Sequence, residues 1–175
     1  MGGMSDTAPV QTKTQWLAAQ ARSWMWTLLL VWLVWMTVQS LRGGVDVTGV
    51  APDFAATDTL GKPLQLHDLR GKPTVLYFWA TWCGACKLTS PTVEAFAKSH
   101  PDINVLAVAD DDPAAVQAYL QDTPRQFRVA LGNRATMQAY HIRALPTTVL
   151  LDAAGKIVWS RIGVLLPGEL NLHVP

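Results

Sequence analysis

The stretch Phe78-Trp79-Ala80-Thr81-Trp82-Cys83-Gly84-Ala85-Cys86-Lys87 constrains this chain more than any other, because it holds both cysteines of the 175 residues, spaced C-x-x-C. It follows the apolar run Thr74-Val75-Leu76-Tyr77-Phe78, which reads as a strand, and leads into residues that read as a helix to about His100. A strand that turns sharply into a helix puts Cys83 at the helix N-terminus. There the unpaired N–H groups and the positive end of the macrodipole favour a thiolate over a thiol. Cys86 falls one turn later on the same face, within reach of a mixed disulfide formed at Cys83. The pattern predicts a dithiol redox pair, with Cys83 as nucleophile and Cys86 as resolving thiol.

Two other readings of the cysteines compete with this one. A structural disulfide closing so short a loop removes little chain entropy, so stability is a weak reason for the spacing. A zinc site needs about four ligands, and His67, His100, His141 and His173 are scattered without ligand spacing. No metal and no cofactor is therefore assigned. A copper- or zinc-handling module using the same thiolates is kept as the alternative function.

Trp82-Cys83-Gly84-Ala85-Cys86-Lys87 resembles the thioredoxin-family motif W-C-x-x-C-K, and Ile142-Arg143-Ala144-Leu145-Pro146-Thr147 resembles that family's second signature. Ala51-Pro52-Asp53-Phe54, Gly61-Lys62-Pro63-Leu64 and Leu69-Arg70-Gly71-Lys72-Pro73 are similar to the TlpA-like branch of the superfamily. That branch consists of membrane-tethered or exported thiol:disulfide oxidoreductases, the copper-sensitivity-suppressor type among them. The resemblance runs from about Ala51 to Val164. It implies a thioredoxin-like α/β three-layer sandwich with a mixed central sheet. It also implies a cis Pro146, a Leu145 backbone open to an extended substrate segment, and Trp82 beside the site as part of the docking surface. Two positions depart from the family pattern. The acid of thioredoxin itself, six residues before the first cysteine, is Tyr77 here, and the glutamate of many TlpA-like proteins is Thr89. The proton acceptor for Cys86 is thereby left unassigned.

The N-terminal quarter lies outside the resemblance. Residues 1–22 are polar and unpatterned and read as a cytoplasmic tail. Between Arg22 and Arg42 there are nineteen residues without a charge, including Trp24, Trp26, Trp32 and Trp35. As a helix they would span roughly 28 Å, close to a hydrocarbon core of about 30 Å. A cleaved signal peptide would have a shorter apolar core and small residues before the cut, and Val38-Gln39-Ser40 is a mediocre site. Residues 23–41 are expected to be a single transmembrane signal anchor, 42–50 a tether and 51–175 the thioredoxin-like domain. Lys13 and Arg22 against Arg42 give a small positive-inside bias toward a domain outside the cytosol. The expected location is the bacterial inner membrane with the catalytic domain in the periplasm.

A net charge of +1 offers no basic stripe for phosphates, so nucleic acid is excluded as a partner. The partners expected are protein thiols and disulfides, with a transmembrane protein as electron donor. Elsewhere, Phe54 to Leu66 reads as a hairpin, and Ile103 to Ala109 as a buried strand. Asp110-Asp111-Asp112-Pro113 reads as a helix start, with Asp112 at N-cap and Pro113 at N1. Asn133 is expected to cap a helix over Arg134 to Tyr140. A last hairpin is expected over Thr147 to Val164, then about two helical turns over Pro167 to His173.

Overall fold

A computed structural model describes residues 24–37 and 49–174. Residues 24–37 form one helix, α1, in which every residue is exposed, the four tryptophans included. At about 1.5 Å per residue it is roughly 21 Å long. Among the described residues no helix is long and apolar enough to cross a membrane. The expected tail 1–22, the rest of the expected anchor (residue 23 and residues 38–41) and positions 42–48 of the tether lie outside the described residues.

The remainder forms one eight-stranded sheet with helices on its faces. Its strands are β1 (Gly49–Val50), β2 (Ala55–Asp58), β3 (Pro63–Gln65), β4 (Thr74–Trp79), β5 (Asn104–Ala109), β6 (Arg128–Leu131), β7 (Thr147–Leu151) and β8 (Lys156–Ile162). They run in the order β1-β8-β7-β4-β5-β6-β2-β3. The β4–β5 and β5–β6 pairs are parallel and the others antiparallel, so the sheet is mixed as expected. The helices are α2 (Gly84–Ser99), α3 (Pro113–Asp122) and α4 (Arg134–Ala139), with single 3-10 turns at Leu66–Leu69 and Leu170–Leu172.

β4 lies at the middle of the sheet, with all six residues buried. Successive side chains alternate between faces, and the core divides accordingly. Val75, Tyr77 and Trp79 pack with Cys86, Val93 and Phe96 of α2 and Val116 of α3. Leu76 and Phe78 pack on the other face with Met137 of α4, Tyr140, Leu64 and Phe54. The buried residues of α2 are Cys86, Thr89, Ser90, Val93 and Phe96, the spacing of one helical face. Two parallel crossovers through α2 and α3 and a closing hairpin give the three-layer thioredoxin-like arrangement.

The structure differs from the sequence expectation at both ends of this domain. Among the described residues pairing begins at Gly49, not Ala51, because Gly49 and Val50 lie opposite Ile157 and Lys156 on the edge of β8. Two residues are too few to show a strand period, and Gly49 takes φ +89°, a conformation that glycine adopts without strain. The two helical turns expected near the C-terminus reduce to the 3-10 turn at Leu170–Leu172. Pro167 cannot donate to a preceding turn, and Gly168 takes φ +80°, so helix starts only after both. The short end leaves a groove of about 300 Å³ between Pro91, Thr92 and Ala95 of α2 and Pro167, Leu170 and Asn171.

Candidate active site

Cys83 is the N-cap of α2, with extended backbone at φ −80° and ψ 104°, and Cys86 lies within the first turn. The two are joined as a disulfide, their Cα atoms 5.2 Å apart. The Cys86 N–H points at Cys83 Sγ from 3.1 Å, and the N–H groups of Cys86 and Lys87 donate to the Cys83 carbonyl at 3.1 and 3.2 Å. The first sulfur thus takes the place that a serine or aspartate oxygen holds in other helix caps. A thiolate here would accept the same N–H and sit at the positive end of a sixteen-residue helix. Cys83 is more covered than a position ahead of the helix implies, at 5% exposure. Cys86 is wholly buried.

Leu145 is half-buried and packs against the cluster that contains both cysteines. The Leu145–Pro146 peptide bond is cis, and Pro146 is buried. The Pro146 carbonyl accepts the Gly163 N–H at 2.8 Å, which ties this loop to the end of β8. Leu145 stands two residues before Thr147, where the ladder with β4 begins. Trp82 is 69% exposed immediately before Cys83, whereas Trp79 is buried and tilted against Tyr119 at 5.3 Å. Lys87 faces solvent.

Beneath the pair, where the sequence departs from the pattern it resembles, Tyr77 is wholly buried. Its hydroxyl donates to the Cys86 carbonyl at 2.9 Å and lies 3.3 Å from Ser90 Oγ. Burial, only partly offset by the Ser90 hydrogen bond, pushes its pKa up to about 12. Thr89 spends its hydroxyl on the Ala85 carbonyl at 3.1 Å and accepts the Leu165 N–H at 3.4 Å. Neither group is a base near neutral pH. The described residues contain no cluster of three or more His, Cys, Asp or Glu side chains able to hold a metal ion.

One contact beside the cysteines was not foreseen from the sequence. Asp111, read as part of a helix start, accepts hydrogen bonds from both the N–H (3.0 Å) and the hydroxyl of Thr81. Asp112 alone caps α3, through the N–H groups of Ala114 and Ala115. The signal was present only as a surplus acid beside a sufficient cap.

A buried sulfur bonded to a less buried one, at a helix N-terminus and beside a cis-proline loop, is an arrangement suited to reversible two-electron thiol–disulfide exchange. Residues 47–160 match the AhpC/TSA family. The thiol-disulfide oxidoreductase ResA of Bacillus subtilis is 37% identical over 137 residues, which is 76% of this chain and 74% of that protein. Among solved structures, a candidate thiol:disulfide interchange protein DsbE from Chlorobium tepidum superposes with a TM-score of 0.67 at 29% identity, covering 73% of this chain and 93% of that one. StoA from Bacillus subtilis gives 0.61 at 25% identity, covering 70% and 96%. The chain belongs to the AhpC/TSA family of thioredoxin-like proteins, and it is a thiol:disulfide oxidoreductase that carries a Cys83–Cys86 CxxC pair.

Proposed function

We propose that this oxidoreductase works as a membrane-anchored reductant of extracytoplasmic protein disulfides, with Cys83 as the attacking sulfur and Cys86 as the resolving one. The observation that carries the division of labour is the placement of the two sulfurs. Cys83 receives an N–H at the helix terminus and keeps some exposure, whereas Cys86 has none. In the reduced protein the Cys83 thiolate attacks one sulfur of a substrate disulfide and expels the other as a thiolate. Cys86, once deprotonated, attacks Cys83 Sγ in the mixed disulfide. The second substrate sulfur leaves, and the intramolecular disulfide forms. Two electrons pass to the substrate, and a transmembrane electron donor returns them. Trp82 and the Leu145–Pro146 loop form the docking surface, where an extended substrate segment pairs with the Leu145 backbone.

Residues 23–41 hold the enzyme in the bacterial inner membrane with the redox domain in the periplasm. The exposed, uncharged surface of α1 supports this reading. So does the Thr37 hydroxyl, which donates back to the Leu33 carbonyl at 2.6 Å and so needs no outside partner.

The test of the thiol assignment is trapping in cells. Cys86→Ser is expected to accumulate covalent adducts between Cys83 and substrate proteins, released by dithiothreitol, and Cys83→Ser is expected to accumulate almost none. The reverse pattern would exchange the two roles.

A further inference from the structure

Of the three consecutive aspartates after β5, each has a different partner. The Asp110 N–H donates to the Trp79 carbonyl at 2.8 Å, extending the line of the β4–β5 pairing. The Asp112 side chain caps α3. Asp111 serves neither purpose. Its Oδ2 accepts from the Thr81 N–H at 3.0 Å and from the Thr81 hydroxyl, and its Oδ1 accepts from the Asp112 N–H at 2.8 Å. Burial pushes its carboxyl up, yet the Thr81 and Asp112 donors outweigh this and hold it below the usual carboxylate range.

Thr81 stands two residues before Cys83. It lies within a turn whose closing bond, from the Cys83 N–H to the Ala80 carbonyl, is 3.3 Å long. That single bond is a weak constraint on the residue that must sit under the first N–H groups of α2. Hydrogen bonds to a charged acceptor are stronger than neutral ones, and here two of them hold the N–H and the hydroxyl of Thr81, one of the turn's two central residues. Asp111 reaches across thirty residues of sequence to do so.

We propose that Asp111 is a positioning residue for thiol–disulfide exchange, fixing through Thr81 the turn that sets Cys83 against the N-terminus of α2. The proposal rests on Cys83 being the attacking sulfur. With the clamp intact, the Cys86 N–H is already aimed at Cys83 Sγ when the thiolate forms. With it removed, the turn relaxes and the thiolate loses part of that stabilisation, so the reduced state becomes less favourable and Cys83 reacts more slowly.

The full chain in detergent micelles, equilibrated with glutathione, tests this. In that equilibrium the protein disulfide plus two glutathione thiols gives the protein dithiol plus glutathione disulfide. Asp111→Ala and Thr81→Val are each expected to lower the equilibrium constant roughly tenfold, equivalent to a potential about 30 mV more negative. Both should slow attack of the reduced protein on glutathione disulfide. Thr81→Ser, which keeps both donors, should restore the wild-type values to within about twofold, and the double variant should be no worse than Asp111→Ala alone. A purely structural contact would lower the thermal midpoint of Asp111→Ala while leaving equilibrium and rate unchanged, and that result overturns the proposal. Multiplying effects in the double variant would also overturn it, because the two residues would then act separately. Substrate trapping by Cys83→Ser instead of Cys86→Ser would strike the thiol assignment itself, independently of these equilibrium constants.

Discussion

Tyr77 stands beneath the second thiol without serving as its proton acceptor. With burial raising its pKa to about 12, the hydroxyl is neutral at working pH and acts as a donor to the Cys86 carbonyl. That carbonyl also accepts from Ser90 Oγ at 2.9 Å, so Tyr77→Phe leaves it satisfied. The variant is expected to lose only about 0.5–1.5 kcal/mol in urea unfolding, the usual worth of one such bond. The pH profile of the resolving step should stay unchanged between about pH 6 and pH 9. A profile that lost a limb in Tyr77→Phe would place the hydroxyl in the proton path and contradict this account. The sequence showed that Tyr77 and Thr89 replace acids, but not what they do instead. Their new partners, Ser90 and Leu165, are 13 and 76 residues away.

Among the elements, the edge hairpin β2–β3 depends on one carboxylate. Asp58 is 5% exposed and accepts from the N–H groups of Leu60 and Lys62, both at 2.9 Å. It also receives Arg128 of β6 through Nε at 3.2 Å and Nη2 at 3.0 Å. The Lys62 N–H, with the Arg128 hydrogen bond outweighing partial burial, holds its pKa below the ordinary 3.8. A carboxyl lowered on folding stabilises fully above its unfolded pKa, and that stabilisation is lost as pH falls through the folded value. The thermal midpoint should therefore be flat above about pH 5 and fall below about pH 4. Asp58→Asn should lower the midpoint near neutrality and flatten that acid limb, as melts across the range would register; an unaltered limb would remove Asp58 from the account. Asp53, despite some burial, is lowered by His67, and Asp111 by Thr81, so part of the limb will persist. The elements themselves were largely legible. Asp112-Pro113 and Asn133 mark helix starts, and the β4 run and both hairpins show in local pattern. The strand order, β1 and the Asp111 contact were not legible, because each depends on residues distant in sequence meeting in space.

For the whole molecule, the N-terminal helix bears on where the redox domain works. The described part of the expected anchor is a helix over 24–37 with an uncharged, exposed surface. The charge-free run continues on both sides of it, from residue 23 to residue 41. An apolar surface of this kind is disfavoured in water, since each large apolar side chain that is buried is worth about 1.5–3 kcal/mol. Some apolar surround must therefore cover it, and we propose the inner membrane. Eight tryptophans in all, four of them in this segment, make the segment a fluorescence reporter of that surround. The protein should resist extraction of membranes with alkaline carbonate, and its C-terminal domain should be digested by protease added to spheroplasts. Replacing Val31 and Val34 by arginine should release the chain, because a charge at the centre of a spanning helix costs roughly 2.5–3.5 kcal/mol each. Recovery of a shortened, soluble form from the periplasm would show cleavage after the apolar run, and protection of the domain in spheroplasts would place it on the cytoplasmic side. The first result would overturn the anchored reading and the second its periplasmic orientation, and both would leave the chemistry of Cys83 and Cys86 intact.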